Sequence, residues 1–159
     1  MAIIKVLCAE DDRLMRLEMK EKMTAKGWEV IEAVDGKEAL VKYKKYRPDI
    51  VVLDVNMPKR SGLEVLQLIR VNDLQTPVVI YSSLAEEKDL KIGLCQGAQV
   101  YLVKNYSVAL LLEQVERLIG KTASSVIGLT DNITYDFAKA ELCIGEQREV
   151  KHHKCQSLL

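Results

Sequence analysis

The sequence predicts an α/β fold: five parallel strands in one sheet with helices on both faces, followed by a C-terminal partial β-rich segment. Three observations carry that prediction. Five short apolar runs alternate with stretches of helical period between residues 2 and 119. The first, third and fourth runs are apolar throughout, as a parallel sheet covered on both faces requires. Gly27, Pro48 and Gly97 are helix-ending signals that separate helices from the strands after them.

The first run, AIIKVLCAE from Ala2, is rich in β-branched residues and reads as a buried strand. After Asp11 and Asp12 a helical pattern runs to Lys26, with Met15, Met19 and Met23 one turn apart as a core stripe. WEVIEA is the second strand, and Asp35-Gly36 turns it into a helix over 37–46. Ala39, Leu40, Tyr43 and Tyr46 make that helix's apolar face, and Lys37, Lys42, Lys44 and Lys45 a solvated one. DIVVLD, from Asp49, is the third strand. Ser61 can cap the next helix, which is expected to bury Leu63, Leu66 and Ile69. TPVVIYSS gives the fourth strand, residues 84–96 a weaker helix, and AQVYLVK the fifth strand. From Ser107 to Ile119, the residues Val108, Leu111, Leu112, Val115, Leu118 and Ile119 align along one strongly amphipathic face.

A length of 159 residues bounds the chain to one domain plus at most a fragment of a second. Hydrophobic residues make up 48% and charged residues 29%, with a formal net charge of zero. That balance marks no nucleic-acid or membrane surface over the whole chain. A single Trp and a single Phe leave the core to Leu, Val, Ile and Met. No run nears the ~18 apolar residues of a membrane span, and acids arrive too early for a signal peptide. The expected location is cytoplasmic, without membrane contact. Cys8, Cys95, Cys143 and Cys155 are too scattered for a disulfide framework and are expected to be reduced.

Right-handed crossovers favour the flavodoxin-like strand order 2-1-3-4-5, which sets strands one and three side by side at the topological switch point. That order brings Glu10, Asp11 and Asp12, after strand one, to the same carboxyl edge as Asp54, after strand three. Carboxylates crowded in one cleft repel and must protonate or hold a cation, and Mg2+ suits such a hard oxygen set. One of them, Asp12, can instead cap the helix that starts at Arg13. Ser82 ends strand four and Lys104 ends strand five. A hydroxyl and an ammonium beside an acidic cluster fit phosphoryl chemistry on a carboxylate. Cationic groups neutralise the moving charge, and the hydroxyl hydrogen-bonds one oxygen.

From Ile3 to about Gly120 these residues resemble the receiver domain of two-component response regulators. The predicted domains are therefore a receiver over 1–121 and a linker with an effector-domain fragment over 122–159. The resemblance implies that Asp54 is the phosphoacceptor, and that Asp11 and Asp12 hold Mg2+ with Asp54 and the backbone carbonyl of Asn56. It makes Ser82 the switch hydroxyl, Lys104 the lysine of the catalytic set, and Tyr101 the switch aromatic. Met57-Pro58 and Gly62 fit the family's loop after the phosphoacceptor. The resemblance further implies a sensor histidine kinase as phosphoryl source and a homodimer through helix four, strand five and helix five. It implies no enzymatic output beyond the domain's own phosphoryl transfer and slow autodephosphorylation. One residue departs: Asn105 follows Lys104 where the family has proline, often in a cis peptide. A cis bond to a non-proline residue costs ~2.5–4 kcal/mol, which predicts a trans bond here.

From Thr122 the character changes. TASSVIG reads as a linker, NITYD, AELCI and REVK as short strands with a turn at GEQ, and HHKCQSLL as a helix beginning. This stretch resembles, more weakly, the opening of the winged-helix effector domain of osmoregulation-type regulators. DNA contact is expected only through a complete effector domain with its recognition helix, so transcription control is expected of a full-length protein. His152, His153 and Cys155 lack the paired spacing of a zinc site. Two other readings compete: a stand-alone receiver acting through protein contacts, and a haloacid-dehalogenase-like phosphatase with an aspartate nucleophile. The phosphatases have a second acid two residues on, where this chain has Asn56.

Overall fold

β1 (Lys5–Ala9), β2 (Glu29–Ala33), β3 (Ile50–Leu53), β4 (Val78–Ser82) and β5 (Val100–Val103) pair in parallel. Their order is β2-β1-β3-β4-β5, as the sequence predicts. The computed structural model describes residues 2–120 and the backbones of four further strands. Those are β6 (Val126–Thr130), β7 (Ile133–Asp136), β8 (Glu141–Ile144) and β9 (Lys151–His152). The parallel strands are joined by α1 (Arg13–Ala25), α2 (Gly36–Tyr46), α3 (Gly62–Asn72) and α4 (Glu87–Cys95), and α5 (Val108–Gly120) follows β5. No helix among the described residues is long and apolar enough to cross a membrane.

Every residue of β3, β4 and β5 is buried, so these strands are covered on both faces. This is why their apolar runs do not alternate. α1 meets α5 through the Lys26–Glu116 ion pair, and α2 meets α3 where the Tyr43 hydroxyl donates to Asp73. Met19 and Met23 of the α1 stripe are fully buried, and Met15 packs at its margin. Three helices begin on a side-chain cap. Asp12, Asp35 and Ser61 accept the amides of Met15, Glu38 and Glu64 at 2.9, 2.8 and 3.2 Å.

Several boundaries differ from the sequence reading, each for a local reason. α4 starts at Glu87 rather than 84, because the Leu84 amide donates to Ser82 Oγ at 3.2 Å and turns the chain first. In α3 the fully buried positions are Val65, Leu66 and Ile69, while Leu63 is only partly buried. Tyr46, expected in the core, is 38% exposed at the end of α2, where Arg47 turns into the left-handed region at φ +45°. At the amino ends of β4 and β5, Arg70 Nε and Nη2 donate to Gly97 O at 3.1 and 2.9 Å. Nη2 also reaches Gln99 Oε1 at 3.1 Å, and Nη1 donates to Asp73 O at 2.9 Å. This one guanidinium ties α3 to the α4–β5 turn.

β6 to β9 form a separate antiparallel sheet in chain order. β7 and β8 match the strands read in NITYD and AELCI. The linker reading of TASSVIG is corrected at its end, where the β-branched pair Val126-Ile127 opens β6. Of REVK only Lys151 lies in a described strand, β9, which also takes His152 from the expected helix. Residues 145–150, with the GEQ turn, and 153–159 lie outside the described residues.

Candidate functional site

The carboxyl ends of β1, β3, β4 and β5 supply the site. Asp54 follows β3, and its amide donates to Ala9 O at 3.0 Å, fixing it beside the end of β1. Glu10 follows β1, and its amide donates to Ala33 O at 3.0 Å. Its carboxylate is 1% exposed and uses both oxygens: Oε1 accepts from the Asp12 amide at 3.1 Å, and Oε2 lies 2.6 Å from Lys104 Nζ. Arg16 closes the loop by donating to Glu10 O at 2.8 Å. Lys104 also lies 3.3 Å from Asp54 Oδ2, so one ammonium bridges two buried carboxylates.

Ligand oxygens of Glu10, Asp11 and Asp54 all lie within 4.8 Å of one another. Asp12 is not in that cluster: its Oδ1 accepts the Met15 amide and caps α1. Of the three acids after β1, the structure groups Glu10 and Asp11, not Asp12, with Asp54. The reason is where the strand stops. β1 ends at Ala9, so Glu10 and Asp11 are the residues that turn across the sheet edge, and the third acid starts the helix. The sequence already sets Glu10 at this edge among three consecutive acids, and only burial separates its place from that of Asp12.

Burial pushes the Glu10 carboxyl up to about 7; the Lys104 hydrogen bond opposes this and the Asp54 charge adds to it. Burial also raises the Asp54 carboxyl, with the Lys104 charge opposing and the Asp11 charge adding. For Lys104, burial works against the charge, but the hydrogen bond to Glu10 and the two acids outweigh it and hold the ammonium above its ordinary value. Asp54 Oδ1 is buried with no hydrogen-bond partner. An orphaned carboxylate oxygen among three clustered acids is the environment a hard divalent cation satisfies, so these residues fit Mg2+.

Ser82 ends β4 between β3 and β5, and its carbonyl accepts the Lys104 amide at 2.8 Å. Tyr101 is fully buried and donates to Leu84 O at 3.0 Å. Its phenol is pushed up to about 12 by burial, against the opposing hydrogen bond with Ser82. The two expected switch residues thus share the β4–α4 loop. No cis peptide occurs among the described residues, so Lys104–Asn105 is trans, as predicted. Tyr81 holds the loop beyond it by donating to Tyr106 O at 3.0 Å.

The pattern of the response regulator receiver domain family matches residues 6–116. This chain belongs to that family. The receiver is similar to the transcriptional regulatory protein PrrA of Mycobacterium tuberculosis, at 35% identity over 82% of this chain and 56% of PrrA. It is also similar to the solved receiver domain of the Francisella response regulator 1452, at 34% identity and a TM-score of 0.72. That match covers 76% of this chain and 99% of the Francisella one. A third likeness is to a chain of the CheX–CheY–BeF3–Mg2+ complex of Borrelia burgdorferi, at 33% identity and a TM-score of 0.70, covering 74% and 90% of the two chains. The receiver's chain spans about half the length of the curated relatives it matches, 56% of PrrA and 47% of TrcR.

Proposed function

We propose that this receiver is a phosphorylation-operated switch in which Asp54 takes a phosphoryl group from the phosphohistidine of a sensor histidine kinase. The observation that carries this reading is the buried Asp54 carboxylate, with Oδ2 paired to Lys104 and Oδ1 without a partner. Glu10, Asp11 and Asp54, with the Asn56 backbone carbonyl, are the groups to hold Mg2+. When bound, Mg2+ supplies the charge that neutralises phosphoryl oxygens during transfer. An Asp54 oxygen forms the new P–O bond as the P–N bond of the donor breaks, leaving an acyl phosphate. Lys104 then stands ready to pair with a phosphoryl oxygen, and the Ser82 hydroxyl to hydrogen-bond another, leaving its contact with the Leu84 amide.

The output follows from that exchange. Movement at Ser82 shifts the β4–α4 loop, to which Tyr101 is bonded, and so repacks the surface of α4, β5 and α5. We place a phosphorylation-strengthened homodimer on that surface and, in a full-length protein with an effector domain, control of transcription in the cytoplasm. The chain itself performs the phosphoryl transfer and a slow autodephosphorylation, with no other substrate. Incubation with a small acyl-phosphate donor, followed by intact-mass measurement, tests the reading. A Mg2+-dependent phosphate adduct absent from Asp54→Asn supports it, and an adduct of equal yield in that variant refutes it.

A further inference from the structure

The segment from Asp54 to Gly62 carries the Asn56 carbonyl that the proposed site uses, and its ends and its middle are held differently. The ends are closed on each other: the Met57 and Gly62 amides both donate to Val55 O, at 3.2 and 2.9 Å. A Cβ at Gly62 would overlap the Asp54 carbonyl, so only glycine allows that closure. The middle leans on another element. Gly36, the first residue of α2, donates to Pro58 O at 3.5 Å, and a Cβ there would overlap the Arg60 carbonyl oxygen. The loop backbone therefore rests directly on the start of α2.

Lys59 stands at this contact with φ +67°, a left-handed conformation that residues other than Gly, Asn and Asp rarely adopt. From there its ammonium lies 3.0 Å from Asp35 Oδ2. Asp35 is buried and divides its carboxylate, with Oδ1 accepting the Glu38 amide as the α2 cap and Oδ2 facing Lys59. A cap needs only one oxygen. The second is left for a lysine whose own backbone is held in an unfavoured conformation.

We propose that Asp35 and Lys59 form a positioning brace, an ion pair between the α2 start and the β3–α3 loop that holds the Asn56 segment in its Mg2+-binding conformation. The proposal rests on the reading of Asp54 as a Mg2+-dependent phosphoacceptor. Neither residue touches the reacting atoms; both act through the loop. Because Lys59 is largely exposed, the pair is of the modest, salt-sensitive kind, and its loss weakens Mg2+ binding by about two- to fivefold.

The test is calorimetric titration of the full chain with Mg2+. Asp35→Asn keeps the cap, since asparagine caps as well as aspartate, and removes only the pair. Lys59→Met removes the charge and keeps the stem. Each should weaken Mg2+ binding about two- to fivefold, with the double variant no weaker than either alone. Lys59→Arg should restore most of the loss, and the gap between wild type and Lys59→Met should close as salt rises toward about 1 M. The unfolding midpoint of Lys59→Met should stay at the wild-type value. Single variants that bind Mg2+ like wild type overturn the brace alone, as do losses that add in the double variant. A wild type that fails to bind Mg2+ overturns the brace together with the reading beneath it.

Discussion

Lys104→Met removes one ammonium and keeps the aliphatic stem, which makes it the sharpest probe of the site's electrostatics. Nζ lies 2.6 Å from Glu10 Oε2 and 3.3 Å from Asp54 Oδ2, and those carboxylates are 1% and 5% exposed. Breaking a buried ion pair from one side costs about 3–5 kcal/mol, because the surviving charge is left uncompensated. The lower end, about 3 kcal/mol, applies near pH 8, since Glu10 is already held high and can escape by taking a proton. The sign follows from linkage. Glu10's folded-state pKa, about 7, lies above its value of 4.5 in the unfolded chain. Between those values the folded state holds a proton that the unfolded state lacks, so stability falls as pH rises through the window. Removing Lys104 extends that window upward. Urea unfolding at about pH 5.5 and pH 8, with and without millimolar Mg2+, reads the effect. The variant should lose about 3 kcal/mol at the higher pH and about 1 kcal/mol at the lower, and Mg2+ should recover much of the difference. It should still bind Mg2+ and should lose the change in association that phosphorylation produces. A loss equal at both pH values and indifferent to Mg2+ would refute the argument, leaving only a packing defect.

Arg70→Met removes the donors to Gly97 O, Gln99 Oε1 and Asp73 O, and should cost about 2 kcal/mol after the regained hydration of the guanidinium, or about 8 °C in Tm. Gly97→Ala should cost as much, because φ is +102° and its Cβ would approach Arg70 Nε to 2.9 Å; wild-type melting of both would contradict this. Asp73 is held below the ordinary carboxyl range although burial raises it, because the Thr76 and Tyr43 hydroxyls and the Thr76 and Gln75 amides donate to it. Its folded pKa is depressed, so its stabilisation is present above about pH 4 and is lost as pH falls below that, and Asp73→Asn should flatten the acid limb of the stability profile. Sedimentation of residues 1–121 with and without beryllofluoride should show a dimer favoured by the phosphoryl mimic; a monomer in both states removes α4, β5 and α5 as the dimer surface.

How far the sequence reached can be seen at single residues. The sheet order was legible because β1, β3 and β4 are short, apolar and β-branched, and right-handed crossovers leave few ways to connect them. Asp54, Ser82 and Lys104 were legible because each ends or follows a strand on one edge. Which two of the three consecutive acids close on Asp54 was not, since they differ only in where β1 stops, and strand ends are set by tertiary pairing such as Glu10 N to Ala33 O. The roles of Asp35 and Lys59 were invisible for another reason. A turn aspartate and a loop lysine look like solvated residues until the fold sets β3–α3 against α2. Arg70, in the pattern LIRVND, meets Gly97 and Gln99 only through the docking of the α4–β5 turn.

The central claim is that Asp54, and no other acid of the cluster, carries the phosphoryl group. Phosphorylation with an acyl-phosphate donor and Mg2+, followed by borohydride reduction, converts an acyl-phosphate aspartate to homoserine, and tandem mass spectrometry of the peptides locates it. The account predicts homoserine at position 54 alone, and none when Mg2+ is chelated. Homoserine at Asp11 or Asp12, a reduced side chain at Glu10, or undiminished conversion at Asp54 without Mg2+ would contradict it.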